Sequence, residues 1–128
     1  MQFEHFALNV PEPVKMTAWY KKHFEIQILL GMDAPPFTHF WGDSEGRVFC
    51  EVYHNPKAKV LEYQEQHPLE FHFAFAVNDP EALKKQLTLD GATFFEEVNL
   101  DDGSKLVMMR DPWGIPLQLC KRGTPFLL

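Results

Sequence analysis

Two histidines and two polar residues set among apolar neighbours carry the chemistry available to this chain. His5 stands in "EHFALNV" and His72 in "FHFAFAV", so the histidines are 67 positions apart. Glu51 interrupts "VFCEVYH" and Gln118 interrupts "IPLQLC", again 67 positions apart. Within each half the polar residue follows its histidine by 46 positions. Singly, each has a plain reading: a hydrogen-bonded core histidine, an edge-strand charge, a satisfied core amide. Together they obey one offset. A buried carboxylate is costly unless it is paired or bound to a cation. Two imidazoles, one carboxylate and one amide oxygen form a ligand set for a divalent first-row metal such as Ni, Zn, Co, Mn or Fe. His5, Glu51, His72 and Gln118 are therefore the expected metal ligands, with coordination positions left for water or a small-molecule substrate.

The elements that must position these residues repeat at the same offset. Each "HFA" run alternates as a strand does and is rich in aromatics. Phe6 and Leu8 share one face and His5 and Ala7 the other. In the second run Phe71, Phe73, Phe75 and Val77 oppose His72, Ala74 and Ala76. The Phe faces are suited to a helix, and the His faces look into a hollow lined by small residues. A Pro-containing segment follows each run and opens a helix, with Asn78 or Asp79 as a cap in the second. Met16 and Tyr20, and Leu83 and Leu87, place apolar stripes on the two helices. Gly91 ends the second helix; Glu25 stands near the equivalent place in the first. Strands are expected at roughly 26–31, 37–41 and 47–54, and again at roughly 93–98, 104–109 and 116–121. The fold class is thus α+β, with two βαβββ units: unit 1 at 1–54, a linker at 55–69, unit 2 at 70–122 and an apolar tail at 123–128. If the last strand of each unit lies near its first, the four polar residues converge.

Composition bounds the function. The chain of 128 residues suits one domain with a substantial core. A net charge of −6 without a basic cluster argues against nucleic acid as partner. Nothing in it is apolar over a transmembrane length, so no membrane association is expected. Two cysteines, Cys50 and Cys120, make no disulfide framework and suit a reducing cytoplasm. His23, His54 and His67 are expected at the surface, and the tail "GTPFLL" is expected to dock on a neighbour or on the body.

"FEHFALNV", "TAWYKKHFEIQI" and "RDPWGIPLQL" resemble the first strand, the helix-to-strand segment and the closing "DPxGNxxEL" of the vicinal oxygen chelate superfamily, which includes glyoxalase I, bleomycin-resistance proteins and extradiol dioxygenases. The resemblance covers about residues 3–121. It implies paired βαβββ units forming a curved mixed sheet around a metal cleft, with ligands at His5, Glu51, His72 and Gln118. It also implies a metal-dependent lyase or isomerase of the glyoxalase type. Its substrate would chelate through vicinal oxygens and pass through an enediolate, with Glu51 moving the proton. The departure is Gln118, where the superfamily usually carries Glu; Gln cannot abstract a proton. The alternatives are a non-catalytic drug-binding protein of the bleomycin-resistance type and an Fe(II) extradiol dioxygenase. Phe49 and Tyr53, on the Glu51 face, are candidates to line the pocket. His39 and Trp41 alternate on one strand whose cleft-facing side is open, and Arg47 and Arg110 flank the closing turns as candidate holders of a substrate carboxylate. Cys120 shares the face of Gln118, as a fifth ligand or a small hydrophobe. Units can pair within one chain or across a homodimer, and the linker allows both.

Overall fold

The computed structural model describes residues 1–126; the last two residues of the apolar tail, 127 and 128, lie outside the described residues. The chain divides into two compact units, 1–61 and 62–128.

In unit 1, β1 (Phe6–Asn9) leads into α1 (Pro13–Phe24), followed by β2 (Gln27–Gly31), β3 (His39–Gly42) and β4 (Val48–Tyr53). Pro13 opens α1, where its missing N–H costs nothing. Lys21, Lys22 and His23 occupy the last turn, where positive charge complements the helix dipole. Glu25 then adopts φ 54°, the left-handed conformation that glycine usually takes at a helix end. The sheet runs β1-β4-β3-β2, with β1 parallel to β4 and the other pairs antiparallel. Beneath it Val10, Met16, Tyr20, Trp41 and Val52 are fully buried. The Trp41 indole N–H donates to Thr17 Oγ1 at 2.9 Å, and its ring lies 4.7 Å from that of Tyr20. Strand β3 is thereby tied to α1.

Unit 2 repeats the plan with β5 (Phe73–Ala76), α2 (Pro80–Leu89), β6 (Thr93–Asn99), β7 (Lys105–Arg110) and β8 (Pro116–Lys121), in the order β5-β8-β7-β6. Asp79 caps α2 by accepting from the Ala82 N–H, and Gly91 follows the helix at φ 98°. Leu87 of α2 is buried with Val107, Met109, Ile115, Leu117 and Leu119. The turn before β8 is closed by the buried Asp111, which accepts from the N–H groups of Trp113 and Ile115 at 2.9 Å each. Gly114 in that turn has no room for a side chain: a Cβ would stand 2.8 Å from Gln64 Cβ.

Both units are therefore βαβββ, each with its own four-stranded mixed sheet. The offset between them is not uniform. β5 follows β1, and Pro80 follows Pro13, by 67 positions. Gln27 of β2 and Thr93 of β6, which pair with Gly42 and Arg110, differ by 66, whereas Gly42 and Arg110 differ by 68. β4 restores the value of 67 through a bulge. Gly42 pairs with Val48 and Trp41 with Cys50, so Phe49 is an extra residue that β8 lacks.

Candidate functional site

The open face of each sheet is set by alternation. In β4, Cys50 and Val52 are buried while Glu51 and Tyr53 are half-buried; in β1, Leu8 is buried and Ala7 exposed. The parallel pairing puts Ala7 beside Glu51, and antiparallel pairing puts Phe40 on its other side. His5 lies two residues before Ala7, on the same face. Its Nε2 stands 3.4 Å from Glu51 Oε2, and its ring meets Phe40 edge-on at 5.1 Å. That N···O separation exceeds an ordinary hydrogen bond of about 2.7–3.2 Å. Two donors bound to one ion at roughly 2.1 Å each would stand about 3–3.5 Å apart. The other ring nitrogen, His5 Nδ1, is buried without a hydrogen-bond partner; the nearest charge is Glu4 Oε1 at 3.5 Å. An unpaired buried polar atom is costly, and an ion between Nε2 and Glu51 would not reach it; Glu4 is the residue placed to accept from a protonated Nδ1.

Unit 2 holds the matching positions. Ala74 pairs with Gln118 as Ala7 does with Glu51, and Met108 pairs with Gln118 as Phe40 does with Glu51. His72 is exposed just before β5, and its Nδ1 donates to the Pro68 carbonyl at 2.6 Å. That bond selects the tautomer whose Nε2 carries a free lone pair, the arrangement that histidine ligands to metals generally use. Gln118 is placed differently from Glu51: its Oε1 accepts from the Cys120 thiol at 2.9 Å. Among the described residues no three His, Cys, Asp or Glu side chains form a group that could hold a metal ion.

The remaining expected residues divide. Tyr53 shares the Glu51 face. Phe49, turned by its bulge, lies 6.5 Å from the ring of Phe6 and 6.2 Å from that of Trp41. With Arg47 and Val48 it lines an open cavity of about 780 Å³, completed by Gln2, Phe3 and Glu4. Neither His5 nor Glu51 lines this cavity. His39 and Trp41 are buried on the helix side, because the residue between them, Phe40, is the one that pairs with Glu51. The His39 Nδ1 donates to the Phe37 carbonyl at 2.8 Å. Sequence alternation placed these two together and left their side open; the pairing register puts them in the core and puts Phe40, not foreseen as a site residue, beside His5. His23 is also buried rather than at the surface, its ring 4.9 Å from Trp19.

Arg110 is occupied. Its guanidinium donates to the carbonyls of Tyr63, Gly114 and Gln66 at 2.9–3.1 Å, tying residues 63–66 to the turn before β8. In this structure it holds that segment. Arg110→Lys is expected to lower unfolding stability by about 1–3 kcal/mol, since a single ammonium cannot span three carbonyls. Chemical denaturation measures this, and a variant as stable as the parent would free Arg110 for another role. Arg47 is exposed, 3.5 Å from Asp43. Burial pushes the Cys50 thiol well above its usual range, with the nearby Glu51 charge adding to the effect. Cys50 is therefore an inert core residue.

The paired βαβββ units and the His-bearing open faces define a vicinal oxygen chelate architecture. Residues 2–119 match the model of the Glyoxalase/Bleomycin resistance protein/Dioxygenase superfamily, and the chain belongs to that superfamily. Among curated proteins there is no match. Among solved structures the chain is similar to the fosfomycin resistance protein FosX from Listeria monocytogenes complexed with Mn(II) and sulfate (TM-score 0.74, 14% identity, covering 94% of this chain and 90% of that one). It is also similar to a lactoylglutathione lyase from Agrobacterium tumefaciens (0.66, 18%, 95% and 94%) and to TioX from Micromonospora sp. ML1 (0.63, 16%, 95% and 99%). At these identities the likeness shows the fold. Among the described residues no helix is long and apolar enough to cross a membrane.

Proposed function

We propose that this protein is a divalent-metal-dependent lyase or isomerase of the glyoxalase type, acting on a small molecule that presents two adjacent oxygens. The observation that carries this reading is the His5–Glu51 pair: Nε2 and a carboxylate oxygen 3.4 Å apart on an open face, farther than an ordinary hydrogen bond. His72, its Nε2 left free by the bond to Pro68, is the candidate ligand that unit 2 offers at the matching position. A superfamily member that binds Mn(II), FosX, supports the choice of a divalent ion. When bound, the ion supplies Lewis acidity to the substrate oxygens.

The chain's own residues do the rest. The Glu51 carboxylate would balance part of the ion's positive charge, and the neutral imidazoles would donate lone pairs to it. Glu51 takes a proton from the carbon next to a substrate carbonyl and returns it to the neighbouring carbon. Phe40 and Ala7 flank it with apolar surface that keeps the carboxylate from being fully hydrated.

Protein purified without added metal is expected to carry close to one transition-metal ion per chain by elemental analysis. His72→Ala is expected to weaken that binding by roughly tenfold or more. A panel of hemithioacetal, hydroxy-ketone and epimerase substrates then defines the reaction. Absence of stoichiometric metal, together with no thermal shift on adding metal, would identify a non-catalytic small-molecule binder instead.

A further inference from the structure

We propose that Cys120 is a positioning residue that orients the Gln118 amide, so that the last strand of unit 2 offers an N–H donor to a ligand oxygen where a metal-binding oxygen is expected. This rests on the glyoxalase-type reading for the identity of the ligand, but not for the orientation of the amide.

Gln118 and Cys120 are two residues apart on β8 and share a face. The Cys120 Sγ donates to Gln118 Oε1 at 2.9 Å, and Cys120 is only 5% exposed. A carboxamide has one oxygen and one NH₂ on the same carbon. With the oxygen drawn toward position 120, the NH₂ group is turned to the opposite end. The parallel register shows what lies there. Gln118 pairs with Ala74 and Cys120 with Ala76, so the end away from Cys120 is the end of β5 that His72 precedes. The group turned toward the His72 side is Nε2, a donor that cannot ligate a cation.

Unit 1 shows why this matters for Gln and not for Glu. A carboxylate presents oxygen at both ends, so Glu51, whose Oε2 stands 3.4 Å from His5 Nε2, would offer an oxygen there with either end. An amide does not, so its neighbour decides what it offers. The position equivalent to Cys120 in unit 1 is Tyr53, 67 residues earlier, beside Asn9. The ligand suited to the Gln118 donor is a carbonyl or oxyanion oxygen.

Two measurements test this. In metal-free protein, the ¹⁵N side-chain amide signals of Gln118 are identified by their loss in Gln118→Glu. They are expected to shift in Cys120→Ala and to stay near the parent position in Cys120→Ser, whose hydroxyl still donates. Signals unmoved in Cys120→Ala would overturn the proposal. In Mn(II) and Zn(II) titrations, Gln118→Ala is expected to bind metal within about threefold of the parent, because the amide oxygen is not a ligand. Cys120→Ala is expected to bind roughly three- to tenfold more tightly, a gain abolished in the Cys120→Ala/Gln118→Ala double variant. A loss of tenfold or more in Gln118→Ala alone would make Gln118 a direct ligand and overturn the proposal. If the parent binds no metal, the glyoxalase-type reading fails, while the amide signals still decide the role of Cys120.

Discussion

Glu51→Gln is expected to lower kcat by roughly 10²–10⁴-fold on the substrate identified by the panel, the range that a positioned general base contributes. The change keeps size and one oxygen donor but removes the group able to take a proton. Gln118 cannot substitute, since an amide has no basic site at neutral pH. Metal stoichiometry should survive in Glu51→Gln because the amide oxygen can still face His5, although with weaker affinity for want of the negative charge. Glu51→Ala should lose both turnover and much of the metal affinity. This pair of variants separates proton transfer from ligation: kcat falls in both, and metal content falls strongly only in the second. Full turnover by Glu51→Gln would remove Glu51 from the proton-transfer role.

Trp41→Ala is expected to cost unit 1 about 3–5 kcal/mol, the usual range for deleting a buried aromatic. Trp41 is fully buried against Tyr20, and its indole donates to the buried Thr17 hydroxyl. Truncation leaves a cavity and an unpaired hydroxyl together, and such a loss is a large part of the total stability of a small domain, about 5–15 kcal/mol. Trp41→Phe keeps most of the packing and loses only the N–H, so its cost should be nearer 1–2 kcal/mol. Urea unfolding of both variants measures the difference. A loss below about 1 kcal/mol in Trp41→Ala would mean that the ring is not a core member and would return it to the pocket.

The two predictions concern neighbouring strands, and they show how far reading by residue type reaches. The equivalence of His5 with His72 and of Glu51 with Gln118 follows from one offset, and the structure reproduces it: Ala7 beside Glu51, Ala74 beside Gln118. The same offset fails in the middle of each unit. The spacing is 66 at β2 and β6 and 68 at β3 and β7, and the bulge at Phe49 returns it to 67. Insertions of this kind erase identities without moving the first and last strands, which is why the repeat was visible at the site and faint elsewhere.

Secondary elements, their order in two βαβββ units and the facing of β1 and β5 could be read from local patterns. Alternation, helix stripes and turn residues are properties of a few consecutive positions. The facing of β3 could not. His39 and Trp41 share a side in any strand, but the side is chosen by pairing with β4, which sets Phe40 against Glu51 and sends Trp41 to α1. Arg110 was legible as a charge beside a turn; that it grips three carbonyls depends on residues 63–66 lying against that turn. Cys120 was legible as a neighbour of Gln118, while the direction of the amide depends on a side-chain rotamer. Residue type and spacing choose the groups capable of chemistry, because those are covalent facts. Which atom each group presents is settled by strand register, bulges and buried hydrogen bonds, which join positions far apart in the chain.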